Sequence, residues 1–242
     1  MEALTSGAVW GALGAIVVAN ILLSGDNAVV IAMAARSLPV HQQRKAIFYG
    51  SAAAIVMRIL LTIGAVQMLQ VPYLKIVGGL ALLWIGAQLL VDSEDEGEVK
   101  EPGTLAAAIR TILIADLVMS IDNVIAVAAA ASRAPEAYRL TLLIIGLATS
   151  IPLIIIGSTL LMKIMERFPI IITLGAALLG WLAGEMFVSD PAIADWFKSH
   201  LPHADLIFGI GCAIGVVVIG KWLHHRGRLA GADGTMHNSA SN

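Results

Sequence analysis

The chain has 242 residues, of which 58% are hydrophobic and only 13% charged, with a formal net charge of -2 and a mean hydropathy of +0.86. Soluble domains carry about 25% charged residues, so this surface is too poor in charge for water and suits lipid. There is no basic patch with interleaved aromatics, which excludes nucleic acid as a partner. The single cysteine, Cys212, excludes a disulfide framework or a thiolate metal cluster within one chain.

A helix crosses the hydrocarbon core with about 20 apolar residues. Seven segments meet that length: 8–35, 46–69, 73–91, 105–131, 140–162, 170–188 and 206–223. Pro72, Pro169 and Pro202 stand just before the third, sixth and seventh, where proline suits a helix start. The first segment lacks a basic region before it and is too long for a cleaved signal peptide, so it is expected to stay in the membrane. The acidic stretch 92–104 reads as a solvated linker, and the Gly/Ser/Asn-rich tail 224–242 as disordered.

The first segment carries a polar stretch, Asn20-Ile21-Leu22-Leu23-Ser24-Gly25-Asp26-Asn27. It recurs 96 positions later, in the fourth, as Asp116-Leu117-Val118-Met119-Ser120-Ile121-Asp122-Asn123. The same offset pairs Gly50 with Gly146, and after one inserted residue Trp84 pairs with Trp181 and Gln88 with Glu185. Segments one to three therefore repeat as four to six. Because three is odd, the second copy enters the membrane in the opposite sense, the plan of many secondary transporters.

The expected fold is all-α and polytopic: seven transmembrane helices in an inverted 3+3 repeat plus one C-terminal helix. Residues 1–91 form the first repeat and 105–189 the second. The outer loop and seventh helix occupy 190–223. Lysine and arginine are denser in the loops and tail that are cytoplasmic if the N-terminus is outside, which predicts N-terminus out and C-terminus in, with the acidic linker inside.

Ionisable groups at membrane depth are costly and functional by default. On a regular helix Asn20, Ser24 and Asn27 share a face, as do Asp116, Ser120 and Asn123; Asp26 and Asp122 border those faces. Gly25 allows a local break in the first helix, whereas Ile121 at the matching place predicts an unbroken second copy. The inverted repeat sets Asp26 and Asp122 facing one another, with Asp116 opposite Asn20. Crowded carboxylates resist ionising in low dielectric; a divalent cation or protons relieve that conflict, which makes metal–proton exchange natural.

The donors are all oxygens, which suit magnesium, calcium and manganese rather than copper or zinc. Asp26, Asn27, Asp122, Asn123, Asp116, Asn20 and Glu185 form the expected metal set. Ser24, Ser120, Gln88 and Arg58 support it, Arg58 either by pairing with an acid or by snorkelling to an interface. Metal ion, protons and lipid are the expected partners; no resident cofactor is required and no enzymatic activity is expected.

The Ser-Gly-Asp-Asn-Ala-Val-Val-Ile-Ala run from Ser24 and the Ser-Ile-Asp-Asn-Val-Ile-Ala-Val-Ala run from Ser120 resemble the TerC family of integral membrane proteins, particularly its YjbE-like bacterial members. The likeness covers roughly residues 8–223. It implies a place among lysine-exporter-like transporters of the bacterial inner membrane and an association with manganese efflux and tellurium-resistance loci. By that resemblance Asp26, Asn27, Asp122 and Asn123 are the core metal residues, with Asp116 and Glu185 added. Two other readings stand beside manganese export: a non-transporting membrane scaffold tied to stress resistance, and, more remotely, an intramembrane aspartyl protease. The protease reading rests on a superficial Gly25-Asp26 likeness and the sharing of a proton by two aspartates.

Overall fold

A computed structural model describes residues 7–68, 71–94, 103–131 and 136–239; within these, the side chains of 7–8, 21–22, 63–68, 93–94, 122, 125, 128, 136–137 and 227–239 fall outside the described set. Every element among the described residues is a helix. They are α1 (Gly7–Leu22), α2 (Gly25–Arg36), α3 (Val40–Met68), α4 (Leu74–Glu94), α5 (Leu105–Ala131), α6 (Glu136–Arg167), α7 (Ile170–Val188), α8 (Ala194–His200) and α9 (Ala204–Ser239).

Five of these are long and apolar enough to cross a membrane, and α1 with α2 makes a sixth span bent by 46°. The remaining long helix, α5, has 27 residues, about 40 Å at 1.5 Å per residue, and carries Arg110, Asp116 and Asp122. Among the described residues the seven segments expected from hydropathy are thus helical, apart from a break within the first. The lipid-facing sides show as exposed apolar side chains, among them Trp10, Val56, Leu80, Ile156, Leu174 and Ile214.

The two expected differences between the copies are present. The first span breaks at Leu23–Ser24, while α5 is continuous. The break needs no left-handed glycine: Ser24 has φ -108° and ψ -5°, and no described glycine has positive φ. The stretch from 224, whose composition reads as a disordered tail, continues α9 as far as Ser239.

The helices pair reciprocally. α3 lies along α5, α6 lies along α1 and α2, α4 packs on α7, and α9 covers α7 and α4. A Cβ on Gly50 would meet Ile112, and one on Gly146 would meet Ile16. Gly50 and Gly146, like Ile16 and Ile112, are 96 positions apart, so one contact is the image of the other. The registers also agree in sense. Ile16, Asn20 and Ala28 meet Gly146, Ser150 and Gly157 in order, so α6 runs parallel to α1–α2. Gly50 meets Ile112 and Arg58 meets Asp116 and Ser120, so α3 runs parallel to α5. This is the register an inverted repeat requires, because α3 turns back on α2 after only Ser37–Pro39.

On one side of the bundle Asp190, directly after α7, closes the start of α4. Its carboxylate accepts the backbone N–H of Tyr73 at 2.9 Å, Lys75 at 3.1 Å and Ile76 at 3.3 Å, and also that of Ala192. It therefore caps a helix of the other half, satisfying N–H groups that a helix start leaves orphaned. Tyr73 is held at φ 67° in the process.

Candidate cation site between the halves

The polar residues of the repeat meet where α1–α2, α3, α5 and α6 converge. Arg58 of α3, only 2% exposed, is the hub. Its Nε donates to Ser120 Oγ at 3.0 Å, Nη1 to Asn20 Oδ1 at 3.1 Å, and Nη2 to Asp116 Oδ1 at 2.5 Å. Ser120 Oγ in turn donates to Asp116 Oδ2. Asn20 Nδ2 donates to Ser150 Oγ of α6, whose hydroxyl in turn donates to Leu147 O. Asn20, Ser120 and Ser150 are all buried. A buried guanidinium is tolerable only when its donors are taken up this way.

The break in the first span leaves backbone carbonyls without helical partners, and side chains take them. Ser24 Oγ donates to Asn20 O. Leu23 O accepts Asn27 Nδ2 at 3.0 Å and, from the other half, Asn123 Nδ2 at 3.4 Å. The two motif asparagines therefore converge on one carbonyl. Asp26, half-buried in the first turn of α2, accepts the backbone N–H of Asn27 through Oδ1 and lies within electrostatic reach of Arg58 and Asp116. A carboxylate suits the positive end of a helix.

One polar atom in this place is unsatisfied. Asn27 is 3% exposed, and its Oδ1 has no hydrogen-bond partner among the described residues. A buried acceptor left unmade costs about 1–3 kcal/mol, so an orphan carbonyl oxygen beside a carboxylate is where a cation is expected. The Asp122 side chain lies outside the described residues, and with it the expected facing of Asp26 and Asp122. Among the described residues no three His, Cys, Asp or Glu side chains form a metal-binding group; the oxygens gathered here come mainly from amides, hydroxyls and backbone.

Three sequence expectations change. Glu185 is exposed on α7, where Trp181 Nε1 donates to its Oε1 at 2.8 Å. Gly180 and Gly184 turn the packed face of α7 onto α9, and Glu185, one residue round from Gly184, points away from the cluster. Gln88 is likewise exposed on α4. Asn20 and Asp116 are in the cluster but committed to Arg58 rather than open to a metal. Arg58 itself pairs with an acid and does not snorkel. Ser150 was missed: a lone serine in an apolar run has no signal until its helix is placed.

The chain matches the model of the integral membrane protein TerC family over residues 5–228. It belongs to the TerC family. The membrane protein YjbE of Bacillus subtilis strain 168 is 45% identical over 75% of this chain and 81% of its own length. The membrane protein YceF of the same organism is 26% identical over 90% of the chain and 84% of its own. The inner membrane protein YgdQ of Escherichia coli K12 is 23% identical over 86% of the chain and 90% of its own. No solved structure matches the chain. As a TerC family member it is an integral, multi-pass, all-helical membrane protein.

Proposed function

We propose that this TerC family protein moves divalent metal cations across the membrane, with manganese as the exported ion and protons as the exchanged one. The observation that carries this reading is the orphan Asn27 Oδ1, buried beside Asp26 at the break between α1 and α2. Asn123 of the opposite half reaches the same break through Leu23 O, and Asp122 is added by the family resemblance. Oxygen donors favour hard cations, and a site at the meeting of two oppositely directed halves is one both sides of the membrane reach by turns. The choice of manganese and the outward direction rest on the family resemblance. The inner membrane is the expected location, as in the name of the YgdQ relative. The protein acts as a carrier and not as an enzyme.

The test is transport by purified protein in proteoliposomes, with manganese, magnesium and calcium offered in turn under a set pH gradient. Manganese flux coupled to proton counterflux is expected, with Asp26→Asn and Asp122→Asn inserting normally and moving none. Flux by either variant equal to that of the native protein would sink the proposal.

A further inference from the structure

Arg58 is the hub of the cluster, yet its charge has the wrong sign for a cation ligand. A fixed positive charge beside a cation site repels the cargo, yet Arg58 is among the most buried side chains in the bundle. Its three hydrogen bonds go to Asn20, Asp116 and Ser120, and Asn20 and Asp116 are the equivalent positions of the two halves. The guanidinium thus sits where the halves meet, and it occurs once: the residue 96 positions on from Arg58 is Ile154. Thr62 Oγ1 donates to Arg58 O one turn along α3, so the backbone that carries the guanidinium is held as well.

We infer that Arg58 is a tethered counter-cation, holding Asp116 while no cargo is bound and giving it up when a divalent cation binds between the halves. The inference rests on the cation-transport reading above and adds a competition to it. Guanidinium does not lose its proton in a protein, so Asp116 becomes a ligand only by displacement of Arg58, not by its neutralisation. Two carboxylates with no cation near them are costly at this depth; Arg58 supplies the balancing charge when the cargo has left. It keeps the vacated carrier from holding its ion too tightly, because the guanidinium competes for Asp116 as the ion departs.

The experiment is calorimetric titration of manganese into detergent-purified native protein, Arg58→Gln, Arg58→Lys and the Arg58→Gln/Asp116→Asn pair, with proteoliposome flux measured beside it. Arg58→Gln is expected to bind manganese at least about tenfold more tightly, since the competing charge is gone, while its flux falls because release is slowed. Arg58→Lys, which cannot hold three acceptors at once, is expected to fall between and serves if the glutamine variant does not insert. The gain should vanish in the double variant, which lacks the carboxylate that Arg58 surrenders. Native affinity in Arg58→Gln or Arg58→Lys would overturn the counter-cation role and leave cation transport standing. Failure of the native protein to bind manganese, magnesium or calcium would overturn the transport reading and this inference with it.

Discussion

Arg58 and Asp116 come from opposite halves of the repeat and meet at 2.5 Å, with side chains 2% and 7% exposed. Breaking such a pair strands a buried charge, at a cost of about 3–5 kcal/mol. Arg58→Ala is therefore expected to lower the thermal midpoint of the purified protein sharply in cation-free buffer. The Arg58→Ala/Asp116→Ala double variant should recover part of that loss, because it leaves no lone charge. Thermal unfolding in detergent followed by circular dichroism measures both.

Glu185 tests how far the repeat alone identifies a site. Its carboxylate is exposed and bonded to Trp181. Glu185→Gln is expected to retain manganese flux within about twofold of native, in the range of a surface change of under about 0.5 kcal/mol. Asp26→Asn, from the same set of sequence candidates, should abolish it in the same assay.

Asp190 should make stability depend on pH. Burial by itself would raise its pKa, but the backbone N–H groups of Ala192, Tyr73, Ile76 and Lys75 outweigh that and hold the carboxyl below its ordinary value. With a folded value below the unfolded one of about 3.9, the stabilisation is complete above the unfolded value and is lost as pH falls through the folded one. Asp190→Ala removes a cap worth about 0.5–2 kcal/mol. Its midpoint should lie below native at neutral pH, and the difference should shrink in acid.

The seventh span is held by bare backbone. A Cβ on Gly180 would lie 2.5 Å from Cys212 O, and one on Gly184 would lie 2.4 Å from Phe208 O. Neither neighbour is a flexible side-chain end, so α9 has to move away. Gly184→Ala is expected to destabilise by about 1–3 kcal/mol. Gly211→Ala and Gly215→Ala on α9, where a Cβ meets nothing within 4 Å, should be neutral within about 0.5 kcal/mol. Denaturant titration of the three variants compares them.

What the sequence by itself determined was the bundle and the halves. Apolar length set the spans, because the bilayer has one thickness. The 96-residue echo of Asn20–Asn27 in Asp116–Asn123 marked where polar groups would meet, and Gly25 against Ile121 marked which copy breaks, although the break falls at Leu23–Ser24 and uses no left-handed glycine. What only the tertiary structure decided was how those groups are used. Spacing along one helix says which face a side chain takes, not which face of another helix meets it. Glu185 shares the repeat yet points outward, since the neighbouring Gly184 takes the packed face of α7. Asp116 shares the motif yet is engaged by Arg58, a residue 58 positions away whose partner could not be read from hydropathy. Ser150 joined the network through the parallel register of α6 with α1. Each of these depends on long-range helix packing, which periodicity within a single segment does not encode.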